Sequence, residues 1–129
     1  MPRLKSVSPR LPVADLRASI RFYSEVLGFA QRSVWPEHAP TFALLERDGV
    51  GVQLSAVESP DGLQEKATLS FDVDDATGLH AKLAGIAQIE WGPEVYWYGR
   101  REFAVRDPSG NLLIFSETTD DPVTCTGES

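Results

Sequence analysis

Tyr98–Phe115, YGRREFAVRDPSGNLLIF, reads as two β-strands joined by a tight turn. Glu102–Arg106 alternates roughly polar and apolar residues, as a strand with one buried face does. Asp107-Pro108-Ser109-Gly110-Asn111 is turn chemistry. Pro presets φ, Gly accepts positive φ, and Asp and Asn hydrogen-bond nearby backbone. Leu112–Phe115 is a short apolar run between the turn and polar residues, so a well-buried strand is expected. Just upstream, Trp91–Tyr98, WGPEVYWY, holds four aromatics in eight residues. A stiff hairpin beside such a cluster suits the wall of an apolar ligand site.

Working outward, Thr68–Val73 reads as a strand, and Asp74 or Asp75 caps a helix reaching about Ala84. Leu79 and Leu83 share its face and Gly85 ends it. Gln88–Trp91 is a strand and Gly92–Tyr98 a loop. The first half has the same order. Leu4–Val13 is extended, with Pro9 and Pro12 forcing an edge, a bend or unpaired positions. Asp15 caps a helix over Leu16–Leu27, whose Leu16, Ile20, Tyr23 and Leu27 form one stripe, widened by Phe22 and Val26. Gly28 stops it. Strands follow at Phe29–Trp35, Thr41–Glu46 and Val50–Val57, separated by the Pro36–Pro40 loop and an Arg47-Asp48-Gly49 turn.

The plan strand–helix–strand–strand–strand is thus used twice. LPVADL echoes FDVDDA, and LERDGVGVQL echoes AVRDPSGNLLIF. The expected class is α+β: two βαβββ modules forming a curved, open mixed sheet with a concave face, where small ligands usually bind. The expected domain is 1–117, with module 1 about 4–57, a polar linker 58–66 and module 2 about 67–117. Residues 118–129 lack apolar periodicity and read as a flexible tail.

A chain of 129 residues suits one domain and needs neither disulfide nor metal to fold. Its net charge of −7 repels nucleic acid and attracts cations. Cys125 is the lone cysteine, so no intrachain disulfide forms. The N-terminus lacks a signal-peptide h-region, no segment approaches a membrane span, and the expected location is the cytoplasm. No Gly-x-Ser-x-Gly elbow or phosphate-cradling glycine loop occurs.

Leu11–Phe29, LPVADLRASIRFYSEVLGF, and Tyr98–Glu117, YGRREFAVRDPSGNLLIFSE, resemble the glyoxalase/bleomycin-resistance/extradiol-dioxygenase (vicinal oxygen chelate) superfamily. The resemblance runs from about Ser6 to Glu117. The second signature is similar to that of its bleomycin-resistance proteins. It implies paired βαβββ modules and a homodimer with ligand grooves at the subunit interface. Enzymes of the superfamily hold a divalent metal with one side chain from each of four strands, and those positions fall here on Ser8, Gln53, Thr68 and Ile114. Two hydroxyls, an amide and an alkyl group do not make a Zn²⁺, Mn²⁺ or Fe²⁺ site. The resistance proteins likewise lack the metal and sequester a cationic glycopeptide.

The resemblance therefore implies a metal-free, cofactor-free, non-catalytic binding protein that sequesters a planar, cationic drug. The alternative is a glyoxalase/dioxygenase-type metalloenzyme or isomerase with an atypical site. Tyr98 matches the position of a stacking aromatic, and Trp97 beside it is an alternative. Trp35, His38 and Phe42 are further candidates for a groove or its rim. Glu102 reads either as a cavity carboxylate for a cationic or amide group, or as half of a cross-strand ion pair. His80 reads as a solvated helix residue.

Overall fold

A computed structural model describes residues 2–57 and 66–125. The chain is α+β and divides into two compact units, Met1–Lys66 and Ala67–Ser129. Each carries a four-stranded mixed sheet and one helical segment. The expected linker at 58–66 lies, but for Lys66, outside the described residues.

In the first unit the order along the chain is β1 (Arg10–Val13), α1 (Leu16–Arg21), a π-helical turn (Phe22–Val26), β2 (Ala30–Trp35), β3 (Phe42–Arg47) and β4 (Val50–Ala56). Its sheet runs β1-β4-β3-β2, with β1 parallel to β4 and the other pairs antiparallel. Strand alternation turns Leu11, Val13, Ala43, Leu45, Val52 and Leu54 inward, where they pack with Leu16, Tyr23, Leu27 and Phe29. The Asp15 carboxylate caps α1 by accepting from the Ala18 N–H at 3.1 Å. At the other end the Arg47 guanidinium donates to the Leu27 carbonyl at 2.8 Å, satisfying a helix-end acceptor.

Two expectations change here. The helix does not run evenly to Leu27, because the Leu27 N–H bonds the Phe22 carbonyl five residues back. The first strand begins at Arg10 rather than Leu4. Pro9 contributes only its carbonyl, to the Gln53 N–H at 2.8 Å, and Leu4 and Val7 stand exposed.

The second unit repeats the plan with β5 (Thr68–Asp72), α2 (Ala76–Leu83), β6 (Gln88–Tyr96), β7 (Arg100–Arg106) and β8 (Leu112–Thr118), in the order β5-β8-β7-β6. Asp75 is the cap, accepting from the Gly78 N–H at 2.9 Å. Phe71, Phe115 and Phe103 stack in a ladder across three strands, with centroids 5.3 and 5.2 Å apart. His80 is not simply solvated: it packs edge-on against Phe103 at 5.2 Å. The Asp107–Asn111 turn is a buried network. Asp107 Oδ1 accepts from the Ser109 and Asn111 backbones at 2.9 Å, and its Oδ2 accepts from Asn111 Nδ2 at 3.0 Å. Asn111 Oδ1 accepts from the Ala67 N–H at 2.8 Å, tying the turn to the start of β5.

β6 runs through the segment expected to be a loop. Gly92 makes this possible: its φ is +83°, and a Cβ there would lie 2.8 Å from Phe103 Cα. The ladder with β7 skips register between Trp91 and Glu94, so the strand bulges without ending. Thr118 belongs to β8, and the following segment to Cys125 is not a free tail. Thr124 and Cys125 donate backbone N–H groups to the Val95 carbonyl at 2.8 and 3.0 Å, and the Thr124 hydroxyl accepts from the Val95 N–H at 2.7 Å. Among the described residues no helix is long and apolar enough to cross a membrane.

Candidate functional site

The face of the second sheet opposite α2 carries the chemistry. Register places Asp72, Ser116, Glu102 and Glu94 in one row across the four strands. Three of these are carboxylates. The adjoining rows hold Thr118, Arg100 and Tyr96 on one side, and Ser70, Ile114, Ala104 and Trp91 on the other.

Glu102 is the centre of this face and is only 9% exposed. A buried carboxylate needs its lone pairs filled. The Tyr98 hydroxyl donates to its Oε1 at 2.6 Å, and the Ser116 hydroxyl donates to its Oε2 at 2.7 Å. Arg100 continues the chain, donating to the Ser116 hydroxyl and carbonyl and pairing with Asp72. Arg101, its neighbour on the strand, pairs with Glu117 and Asp121. The cross-strand ion pairs therefore flank Glu102 without including it.

The hydroxyl bond fixes an aromatic array. Tyr98 stacks on Tyr96 with centroids 5.6 Å apart and ring planes 10° from parallel. Trp97 meets Tyr98 edge-on at 5.3 Å, and Trp91 meets Tyr96 edge-on at 6.1 Å. Trp97 is 70% exposed and Tyr98 46% exposed, although large apolar rings normally gain by burial. Burial, then the Glu102 hydrogen bond and charge, pushes the Tyr98 phenol up to about 12. Burial is also the first cause raising Tyr96, followed by the charges of Cys125, Glu102 and Glu94. The array is neutral, π-rich and backed by carboxylates, an arrangement suited to planar and cationic groups.

The other sequence candidates lie in the first unit. Trp35 ends β2, is 68% exposed, and pairs across the ladder with Phe42. Phe42 is half-buried beneath the Arg10 guanidinium, 5.1 Å from its ring centroid. His38 sits exposed in the loop between β2 and β3. The structure thus brings Trp97, Tyr98 and Glu102 together in one unit and Trp35 with Phe42 in the other.

Sequence reasoning missed Ser116 and Arg100 as holders of Glu102, and Arg10 as a partner of Phe42 and Gln53. Counting register back from the Asp107–Asn111 turn would have found Ser116, since that turn sets Glu102 opposite it.

The superfamily's metal positions were tested on donor chemistry. Gln53 Oε1 accepts from Arg10 Nε at 2.9 Å, which sets a guanidinium beside that position. Ile114 lies between Ser70 and Ala104 and offers no donor. Ser8 is exposed beside Gly51, and Thr68 is exposed at the start of β5. These residues do not fit a divalent ion. No group of three or more His, Cys, Asp or Glu among the described residues could hold one.

Residues 3–115 match the family model described as the Glyoxalase/Bleomycin resistance protein/Dioxygenase superfamily. The bleomycin resistance protein of Geobacillus stearothermophilus is 31% identical over 129 aligned residues, covering 83% of this chain and 92% of the relative. A bleomycin resistance protein of Staphylococcus aureus matches to the same extent. Among solved structures, the bleomycin-binding protein from bleomycin-producing Streptomyces verticillus, complexed with copper(II)-bleomycin, superposes with a TM-score of 0.74 at 25% identity. That match covers 94% of this chain and all of the other.

Proposed function

The chain belongs to the glyoxalase/bleomycin resistance protein/dioxygenase superfamily, and from that premise we propose that it is a binding protein of the bleomycin-resistance type. It sequesters a planar, cationic molecule without chemical conversion. The observation that carries this reading is the exposed Trp97–Tyr98 pair, stacked on Tyr96 and held by the buried Glu102. A ring laid on Tyr98 or Trp97 gains about 0.5–1.5 kcal/mol beyond its burial. The Asp72–Glu102–Glu94 row adds attraction for a cation, which salt weakens.

Glu102 acts mainly through Tyr98, since both its oxygens are occupied. Trp35, Phe42 and His38 belong to the proposal too, as a separate aromatic surface and rim of the first unit taken by itself. So do a homodimeric state and a cytoplasmic location. The metalloenzyme alternative draws no support from the donor set at Ser8, Gln53, Thr68 and Ile114.

Titration with bleomycin, followed by tryptophan fluorescence, tests the reading. Saturable quenching is expected, weakened about two- to tenfold in Tyr98→Leu and reduced at high salt. Absence of any response across the micromolar range sinks the drug-binding claim. Sedimentation of the same sample reads the oligomeric state.

A further inference from the structure

The second unit's face is acidic, but the corresponding face of the first unit has a different character. Arg10 opens β1 and lies in register with Gln53 of β4, on the side of the sheet away from α1. Its Nε donates to Gln53 Oε1 at 2.9 Å, and its guanidinium carbon stands 5.1 Å from the Phe42 ring centroid. Those two contacts fix a side chain that would otherwise sample many rotamers. They use one of its five donors. Among the described residues no carboxylate pairs with it, and its two terminal amino groups make no hydrogen bond. In a chain of net charge −7, where the other strand arginines, Arg32, Arg47, Arg100, Arg101 and Arg106, all find carboxylates, this guanidinium is held in place yet left unpaired among the described residues.

We propose that Arg10, seated on Phe42 and oriented by Gln53, is a binding site for a planar oxyanion, a carboxylate or phosphate group attached to an aromatic body. The terminal amino groups form the fork that matches two anion oxygens. Phe42 and its ladder partner Trp35, 68% exposed, supply the apolar surface for the attached ring. This goes beyond the proposed function, because the seat lies wholly within the first unit's sheet and prefers the opposite charge.

The test uses naphthoate, naphthyl phosphate and naphthylmethylammonium as matched probes, titrated calorimetrically into the full chain. One or both oxyanions should bind saturably through Arg10, whereas any ammonium binding belongs to the second unit's face and should not depend on Arg10; the better oxyanion names the natural head group. Arg10→Met should weaken oxyanion binding about tenfold or more. Arg10→Lys keeps the charge but loses the fork and should recover only part of it. Thermal melting of each variant checks that the exposed substitution leaves the fold intact. Oxyanion binding unchanged in Arg10→Met, or ammonium binding that falls in Arg10→Met as far as oxyanion binding does, overturns the proposal. So does full affinity in Arg10→Lys. Bleomycin titration of Tyr98→Leu reports on the second unit and oxyanion titration of Arg10→Met on the first, so either reading can fail alone.

Discussion

The two units share an element order and a strand order, yet they are finished differently. In the first, the β3–β4 hairpin turns at Arg47-Asp48-Gly49, where Asp48 takes a φ of +52° and pairs with Arg47 at the surface. In the second, the β7–β8 hairpin turns around a buried Asp107–Asn111 network that also anchors β5. The first sheet is ordered by apolar alternation, with Arg10, Gln53 and Phe42 lying across its other face. The second adds a buried carboxylate, a hydroxyl relay and a docked segment behind its aromatics. One topology thus needs little more than an alternating pattern to form. Polar satisfaction is spent where exposed rings must keep one orientation.

Asp107 should give the sharpest contrast. Asp107→Ala removes these three hydrogen bonds, two of them donated by the buried Asn111, so it should lower unfolding free energy by about 3 kcal/mol. Asp48→Ala in the matching turn should change it by less than about 0.5 kcal/mol. Urea denaturation reads both, and equal losses would break the comparison.

Next comes Glu102→Ala. It leaves Ser116 and Tyr98 without their acceptor and should cost about 2 kcal/mol, while Gln53→Ala on the first sheet should cost under about 1 kcal/mol. Thr124→Val should be milder, about 1 kcal/mol, with faster hydrogen exchange at the Val95 amide as its local signature. An unprotected Val95 amide in the unmodified protein would show that the segment does not dock.

The last effect is on ionisation. The folded Tyr98 phenol, pushed up to about 12, holds its proton more tightly than the unfolded one at 10.0. Its contribution to stability is full below pH 10 and is lost as pH rises through 12. Glu102→Gln removes the accepting charge, so Tyr98 should ionise earlier, though still above 10.0 because burial is the larger cause. Tyrosinate absorbance, taken as the difference from Tyr98→Phe, measures this. An unshifted titration in Glu102→Gln would separate Tyr98 from its supposed holder.

Much of the architecture was legible because local chemistry agreed with it. Asp15 and Asp75 cap where aspartates before apolar-periodic runs should. The Asp107–Asn111 turn pinned the last hairpin, and through it Ile114. The misreadings also have physical causes. Gly92-Pro93 looked like a loop because the two residues break strands in general, whereas here Gly92 lets β6 bulge closely past β7. The C-terminal segment lacks apolar periodicity because it docks by backbone groups, the Thr124 hydroxyl and the Arg101–Asp121 pair. Within the candidate site, Trp97, Tyr98 and Glu102 were visible as residue types. Glu102's partners were not, since they depend on cross-strand register. Arg10 was hidden for the same reason, its meaning lying in Gln53 and Phe42, far along the chain.

The docked segment has a consequence of another kind. β6 is the last strand of its sheet, and an uncovered edge is a template on which further chains can add. Thr124 and Cys125 occupy both the N–H and the carbonyl of Val95, midway along the segment with the densest aromatics. The protein can therefore leave Trp97 and Tyr98 exposed while denying neighbouring chains, at Val95, the backbone ladder that would turn the same stickiness into fibres.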